Sequence, residues 1–206
     1  MDKKQIAIID YDAGNLKSVE KAFAFLGENA IITRDSKEIL QADGVVLPGV
    51  GAFGDAMEKL KHYELVDTIH QCVAQKKPFL GICLGLQLLF EESEESKGVA
   101  GLAVLEGKIT RIPDKEGLKI PHIGWNSLSV TPGATLFQGL PENPYVYFVH
   151  SYYLQAKHMQ EVAATTEYST TIHAAVEREN VFACQFHPEK SGDTGMTILK
   201  NFAGLL

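Results

Sequence analysis

The first half of the chain alternates short apolar runs with longer amphipathic segments. The short runs predict buried strands at residues 5–9, 30–33, 44–47 and 79–82. Apolar residues recur at helical spacing between them, which predicts helices at residues 15–26, 54–75 and 84–92, the second with a break near His62-Tyr63. Strands that alternate with helices in this way favour an α/β fold, in which a mostly parallel sheet carries helices on both faces.

The second half has a different pattern, in which short apolar segments are separated by proline and glycine. These segments lie at residues 103–105, 108–112, 128–130, 145–149, 162–166, 172–176 and 182–186. Their spacing predicts antiparallel strands and hairpins added to the parallel sheet. The amphipathic stretch at residues 192–202 predicts a closing helix.

The composition is that of a globular protein: 206 residues, 45% hydrophobic and 22% charged. We therefore expect a single domain over residues 1–206. The formal net charge is −7, so the chain lacks the basic excess of a nucleic-acid-binding protein, and no nucleic-acid partner is expected.

Membrane insertion and export are also disfavoured by the sequence. No window approaches the roughly 18 apolar residues that a spanning helix needs, so no membrane association is expected. The N-terminal apolar run at residues 6–9 ends at Asp10, which is too short for a signal peptide. Three cysteines cannot all pair, and free thiols fit a cytoplasmic location.

The segment Gly81-Ile82-Cys83-Leu84-Gly85 joins a predicted strand to a predicted helix. This is the cysteine form of the nucleophile elbow, in which the nucleophile sits at the tip of a tight turn. The flanking glycines let the strand and the helix approach closely, and the helix N-terminus favours the thiolate. The alternative is a buried structural cysteine, but the spacing and the context favour a nucleophile at Cys83.

A nucleophilic cysteine needs a base and a residue that orients the base. His187-Pro188-Glu189 supplies both types. Pro188 biases His187 toward extended backbone, in which residues two apart project to the same side. We therefore expect His187 and Glu189 to lie side by side and to complete a triad with Cys83.

Gly49, Gly51 and Gly54 spell a G-x-G-x-x-G pattern between a strand and a helix. A dinucleotide-binding loop of this kind requires an acidic residue about twenty positions later, at the end of the next strand. That distance falls in a helical stretch, and the next strand ends at Cys83, so nucleotide binding is disfavoured. An oxyanion loop, whose glycines let a peptide N–H turn toward a developing negative charge, is the better interpretation.

The remaining reactive or bulky residues have simpler interpretations. No other histidine is spaced for metal binding, so no metal and no cofactor are expected. Cys72 and Cys184 fit packing positions, and the acidic run at residues 91–95 fits a solvated helix end. Trp125 could belong to the core or anchor a partner, and composition alone favours the core.

Six motifs, in this order, resemble the class I (triad) glutamine amidotransferases, and among them the glutaminase subunits of imidazole glycerol phosphate synthase. They lie at residues 10–16, 48–54, 81–90, 121–126, 147–152 and 185–191, so the resemblance covers nearly the whole chain. The elbow and His-Pro-Glu are common to the superfamily. The Pro-Gly-Val-Gly, Gly-Trp-Asn and Val-His-Ser-Tyr segments narrow the resemblance to the glutaminase subunits. The resemblance implies a flavodoxin-like class I amidotransferase fold in a single domain.

The resemblance also implies a mechanism, in which Cys83 attacks L-glutamine and His187, oriented by Glu189, transfers the protons. The oxyanion donors it implies are the backbone N–H groups of Val50, Gly51 and Leu84. The residues it implies for substrate binding are Gly49, Gln87, Glu95, Ser151 and Tyr152, so that Glu95 of the acidic run would meet the substrate ammonium.

The partner implied by the resemblance is a (βα)₈-barrel cyclase, which receives the ammonia in a heterodimer. The interface residues it implies are Asn15, Trp125, Tyr147 and Lys190, which moves Trp125 toward a role as partner anchor. The chain departs from the usual pattern at Asp12, where the family usually has glycine, and at Cys184, more often glycine or threonine.

Two other functions stay open from the sequence. The chain could be a class I glutaminase that serves another pathway, such as anthranilate or pyridoxal phosphate synthesis. It could also be a regulatory or binding module that kept the fold without activity, although an intact triad argues against that.

Overall fold

The structure is a computed structural model that describes residues 4–206. Its helices are α1 Leu16–Phe25, α2 Ser36–Gln41, α3 Phe53–His62, α4 Leu65–Ala74, α5 Leu84–Leu88 and α6 Gly192–Ala203. Its strands are β1 Gln5–Ile9, β2 Asn29–Thr33, β3 Gly44–Leu47, β4 Phe79–Ile82, β5 Glu92–Ser93, β6 Gly107–Arg111, β7 His122–Ser127, β8 Ser129–Val130, β9 Tyr145–His150, β10 Tyr152–Ala156, β11 Val162–Tyr168, β12 Thr170–Arg178 and β13 Val181–Cys184.

The main sheet has the strand order β2-β1-β3-β4-β13-β12-β10-β6-β5, and β11 and β8 extend it from β12. The first five strands in that order are parallel, and β12, β10 and β6 then pair in antiparallel fashion. Strands β7 and β9 form a separate antiparallel pair. The fold is thus the α/β arrangement predicted from the sequence, with its antiparallel strands in the second half.

The core lies on both faces of the parallel sheet. Successive residues of β1 enter different hydrophobic clusters, since Ala7 and Ile9 pack on one face and Ile6 and Ile8 on the other. Side chains alternate across a strand, so a strand that is apolar throughout must be covered on both sides. This is why the first-half strands could be recognised as continuous apolar runs.

Strand order decides where the motifs meet. β3, β4 and β13 are parallel neighbours, so their carboxyl ends lie along one edge of the sheet. The Pro48–Gly51 segment follows β3, Cys83 follows β4, and residues 185–189 follow β13. Ligand sites of open α/β sheets form at this edge.

Two of the predicted elements differ in the structure. The helix predicted at residues 84–92 ends at Leu88, and Glu92 pairs with Lys108 in a short strand instead. Residues 103–105 form no strand. The N–H groups of Leu102 and Leu105 bond to the carbonyls of Leu88 and Leu89, so this segment satisfies the end of α5 instead of joining the sheet.

Besides β5, three elements were not predicted. Helix α2 is only six residues long, and its N-cap is Asp35, whose side chain accepts from the N–H groups of Lys37 and Glu38. Strand β7 contains Gly124 and Asn126, which have low strand propensity. Strand β10 begins two residues after β9 ends, so the apolar pattern gave no separate signal for it.

Candidate active site

Cys83 occupies a strained turn between β4 and α5. Its φ of 55° and ψ of −107° lie in a region that residues with a side chain rarely adopt. A Cβ at Gly85 would overlap the carbonyl oxygen of Leu47, and one at Gly81 would lie 2.9 Å from the carbonyl oxygen of Gly85. The glycines therefore allow the close approach that an elbow requires, as the sequence predicts.

Cys83 opens onto a cavity of about 360 Å³ and is 7% exposed. The cavity is lined by Val50, Gly51, Cys83, Leu84, Gln87, Glu95, Pro121, Val149, His150, Ser151, Tyr152 and His187. Most of the residues predicted for catalysis and substrate binding are in this set, although they come from distant parts of the chain. The volume suits a small-molecule substrate.

His187 and Glu189 are in direct contact, with 2.8 Å between His187 Nδ1 and Glu189 Oε1. Both side chains are buried. The reason given from the sequence holds only for His187, whose backbone is extended. Residues 188–190 form a 3₁₀ turn, so the turn, not an extended strand, brings the carboxylate beside the ring.

The electrostatics of His187 favour a proton on the ring. Burial would lower the pKa of His187, but Cys83 and the Glu189 carboxylate raise it to about 9. Nε2, on the side of the ring away from Glu189, has no hydrogen-bond partner among residues 4–206. The nitrogen is therefore left for Cys83, whose side chain also raises the pKa of the ring.

Asn15 contacts the other member of the pair. Its Nδ2 donates a short hydrogen bond to Glu189 Oε1, and Glu189 Oε2 has no partner among the described residues. The sequence had assigned Asn15 only to a partner interface. The structure thus gives Asn15 a contact with the predicted triad that no local pattern indicated.

The predicted oxyanion loop, residues 48–51, is hydrogen-bonded to the elbow. The carbonyl oxygen of Gly49 accepts a bond of 3.3 Å from the backbone N–H of Leu84, one of the predicted oxyanion donors. The Tyr11 hydroxyl donates to the Pro48 carbonyl over 2.8 Å. Burial, together with Cys83, raises the pKa of Tyr11, so this hydroxyl stays protonated. Because a trans peptide points its N–H opposite to its carbonyl, the N–H of Val50 faces away from Leu84.

The predicted substrate-binding residues divide into two groups. Gln87, Glu95, Ser151 and Tyr152 line the cavity, whereas Gly49 lies beneath it, against Tyr11 and Leu84. Glu95 Oε2 accepts from the N–H of Phe53 at the start of α3, so this part of the acidic run is not simply solvated.

Gln87 is held by two hydrogen bonds. Its Nε2 donates to the carbonyl of Tyr152 over 3.1 Å and to Gln185 Oε1 over 3.0 Å. Both N–H groups are therefore used within the protein. Only Oε1 is left to accept from a substrate, which defines what Gln87 can recognise.

Two buried histidines support the wall of the cavity. His150 Nδ1 lies 2.8 Å from the Tyr152 carbonyl, and its Nε2 lies 3.0 Å from His122 Nδ1. A carbonyl only accepts, so His150 carries its proton on Nδ1 and receives one bond from His122. Burial lowers the pKa of His122 to about 4 and that of His150 to about 3, which keeps both rings neutral.

The residues predicted for a partner interface lie around one surface. Trp125 and Tyr147 face each other across β7 and β9, with ring centroids 6.2 Å apart, and Trp125 is 56% exposed. Lys190 is also exposed. The backbone carbonyl of Tyr147 accepts from the N–H of His187 over 3.0 Å, so this surface is joined directly to the predicted base.

The two departures from the family pattern have different surroundings. Asp12 has a positive φ of 64°, the conformation in which glycine is favoured. Its carboxylate accepts from Tyr63 over 2.5 Å and from Arg34 over 2.7 Å, and these bonds lower its pKa. Cys184 is fully buried, and burial raises the pKa of its thiol, which fits a packing role.

Several cavity residues were missed from the sequence. Pro121, Val149 and His150 are in the lining, and His150 directly precedes the Ser151-Tyr152 pair that the resemblance did identify. Gln185 is buried beside Cys83; it is the first residue of the motif at residues 185–191, but the resemblance assigns it no role. Within residues 4–206 no helix is long and apolar enough to cross a membrane.

The chain matches the glutamine amidotransferase class-I family over residues 7–204. It is 52% identical over 208 residues to the imidazole glycerol phosphate synthase subunit HisH of Thermosynechococcus vestitus, a match that covers 100% of this chain and 99% of the relative. The subunit of the same name from Methanocaldococcus jannaschii is 48% identical over 201 residues, which cover 98% of this chain and 100% of the relative.

Solved structures agree with the fold. The structure of PurLQS from Thermotoga maritima has a TM-score of 0.76 at 18% identity and covers 98% of this chain and 99% of that one. A glutamine amidotransferase from the same organism has a TM-score of 0.66 at 18% identity, with 100% of this chain and 85% of that one covered. By sequence and by fold, the chain belongs to the class-I glutamine amidotransferases, and within them to the family of HisH subunits.

Proposed function

We propose that this chain, as one glutamine amidotransferase domain over residues 1–206, hydrolyses L-glutamine to glutamate and ammonia. The ammonia passes to a (βα)₈-barrel cyclase subunit, which forms imidazole glycerol phosphate and aminoimidazole carboxamide ribotide in histidine biosynthesis. The observation that carries the proposal is the meeting of the strained Cys83 with the His187–Glu189 pair at one cavity. The 52% identity to a HisH subunit over the whole chain supports the pathway.

In the proposed reaction the Cys83 thiolate forms a bond to the carboxamide carbon of glutamine. His187, held by Glu189, gives its proton to the amide nitrogen, the C–N bond breaks, and ammonia leaves a thioester on Cys83. His187 then takes a proton from water, the hydroxide attacks the thioester, and the thiolate is released with glutamate. The raised pKa of His187 supports the proton-donating step.

The amino-acid end of glutamine would bind beside the nucleophile. Glu95 would face the substrate ammonium, as opposite charges attract strongly in a partly buried cavity. Gln87 would accept through Oε1 from a donor on the substrate, because its two N–H groups are already used. Ser151 and Tyr152 would complete the wall.

The oxyanion loop would act as a switch. Rotation of the peptide between Gly49 and Val50 would release the N–H of Leu84 and turn the N–H of Val50 toward the elbow. Together with the N–H of Gly51, these donors would stabilise the oxyanion of the tetrahedral intermediate. A cyclase that favours the rotated loop would thus activate the glutaminase only when ammonia can be used.

The partner would dock on the face that carries Trp125, Tyr147 and Lys190, with Asn15 at its edge. Exposed aromatic residues are typical anchors of protein interfaces, and this face is joined to His187 through the Tyr147 backbone. Neither a cofactor nor a metal is needed for the proposed chemistry. The three free, buried cysteines fit a cytoplasmic enzyme.

The test is a glutamine-hydrolysis assay with the purified cyclase and its nucleotide substrate. We expect a low rate for the chain alone, a rate at least tenfold higher in the complex, and loss of activity in Cys83→Ala. Cys72→Ala is the matched control, since Cys72 is a buried cysteine on α4, outside the cavity lining. Equal rates with and without the cyclase would refute the switch, and activity in Cys83→Ala would refute the mechanism.

A further inference from the structure

Gln185 is a buried polar residue beside the proposed nucleophile. It is the first residue after β13 and is 0% exposed. Its Nε2 lies 3.7 Å from Cys83 Sγ, within the range of an N–H···S hydrogen bond. The proposed mechanism assigns no role to this side chain.

The hydrogen-bond network fixes which end of the Gln185 amide faces the sulfur. The carbonyl of Tyr152 can only accept, so the group of Gln87 that contacts it must be the donor Nε2. The same Nε2 contacts Gln185, so the facing atom of Gln185 must be the acceptor Oε1. The donor Nε2 of Gln185 is therefore directed at Cys83.

The Tyr152 carbonyl that sets this orientation is itself held. It receives a second bond from His150 Nδ1 over 2.8 Å, and His150 is in turn bonded to His122. The chain of donors continues to Asn126, whose Nδ2 lies 3.4 Å from His122 Nε2. The amide of Gln185 thus ends a continuous network that begins on β7.

We propose that Gln185 is a further catalytic residue, which donates a hydrogen bond from Nε2 to the Cys83 thiolate and fixes the position of the sulfur. The proposal rests on the proposed function, because it needs Cys83 as the nucleophile. A bond from a neutral donor to an ionised acceptor is stronger than one to the neutral thiol, so it favours the reactive form. The titratable groups that interact electrostatically with this sulfur are His187, Tyr11 and Cys184.

The test is the pH dependence of Cys83 alkylation by iodoacetamide in the full chain, with and without the cyclase. Gln185→Met keeps the length of the side chain and removes the donor. We expect the pH midpoint of alkylation to rise by about one unit and the rate at pH 7 to fall about tenfold. In the complex, kcat for glutamine should fall while KM changes little. Mass spectrometry of the labelled peptide assigns the reaction to Cys83.

The matched control is Thr166→Val, which removes another buried hydrogen bond, to the Ser127 carbonyl, outside the cavity lining. It should lower the Tm without moving the alkylation midpoint. A midpoint that stays in place in a folded Gln185→Met chain overturns the proposal. If that variant does not fold, Gln185→Asn takes its place, because it keeps a buried amide but moves it away from Cys83 by one methylene. An unchanged alkylation midpoint in Gln185→Asn would overturn the proposal equally.

The alkylation readout separates this proposal from the proposed function. Activity of Cys83→Ala on glutamine would refute the triad mechanism, whatever Gln185 does. Full dependence on Cys83, together with wild-type alkylation of the Gln185 variants, would leave the mechanism intact and remove Gln185 from it.

Discussion

The carbonyl oxygen of Gly49 accepts a hydrogen bond of 3.3 Å from the backbone N–H of Leu84, the residue that follows the proposed nucleophile. The peptide between Gly49 and Val50 thus occupies the N–H of Leu84, a donor that the proposed oxyanion site requires. Tyr11 holds the same loop from below, through the bond from its hydroxyl to the Pro48 carbonyl. The resting loop is therefore fixed at two adjacent carbonyls.

Tyr11→Phe is expected to weaken the resting loop. Loss of one buried hydrogen bond costs about 1 kcal/mol, so the free energy of unfolding should fall by that amount. If the bond favours the resting loop alone, the basal rate of glutamine hydrolysis without cyclase should rise about fivefold. Tyr168→Phe is the control, since its hydroxyl also donates to a backbone carbonyl, that of Lys119. A basal rate unchanged from wild type would contradict the prediction.

Asn15→Ala is expected to reduce kcat about tenfold with little change in KM. Without Asn15 the carboxylate of the buried Glu189 keeps only its bond to His187 among residues 4–206, and it then orients the ring less firmly. The measurement is glutamine hydrolysis at saturating cyclase.

A role for Asn15 at the interface alone would give a different result. It would raise the cyclase concentration needed for half-maximal activity and leave kcat unchanged. Asn201→Ala, which removes an asparagine bonded to the carbonyls of Leu136 and Gln138, controls for general destabilisation.

Gly85→Ala is expected to destabilise the fold by about 3 kcal/mol or more and to abolish activity. The added Cβ would overlap the backbone oxygen of Leu47, which cannot move away as a flexible side chain could. Urea unfolding measures the change. Gly204→Ala is the control, because a Cβ there would meet its neighbours at 3.4 Å or more. Near-equal stability of the two variants would contradict this account of the elbow.

The His122–His150 pair is expected to make stability fall as the pH drops below 6.5. The folded pKa values, about 4 and about 3, lie below the ordinary value of 6.5, so the unfolded chain binds protons first. Below pH 6.5, each histidine then makes the free energy of unfolding fall by up to about 1.4 kcal/mol for each unit that the pH drops. Above pH 6.5 this contribution to the slope disappears. Urea unfolding between pH 5 and 7 measures it.

His122→Phe keeps the stacking on Phe148 and Tyr168 but removes one titrating ring. We expect it to reduce this part of the slope by about half. His70→Asn replaces an exposed histidine on α4 and should leave the slope as in wild type. A His122→Phe slope equal to that of wild type would contradict the assignment.

The sequence predicted most of the strands and helices because each of these elements depends on the residues within its own segment. An apolar run predicts a buried strand, and the first four strands of the parallel sheet lie where such runs occur. The helix at residues 84–92 was predicted too long because its last turn is ended by distant partners, the N–H groups of Leu102 and Leu105. Nothing within residues 84–92 carries that information.

The sequence by itself determined the fold class, the elbow at Cys83 and the pairing of His187 with Glu189, since each depends on neighbours along the chain. Only the tertiary structure decided that Asn15 contacts Glu189, that Gln185 directs a donor at Cys83 and that Gly49 occupies the N–H of Leu84. The physical reason is the order of strands β1, β3, β4 and β13, which places the segments that follow them at one edge of the sheet. Hydrogen bonds act over about 3 Å, and only the packing of the sheet brings distant segments within that range.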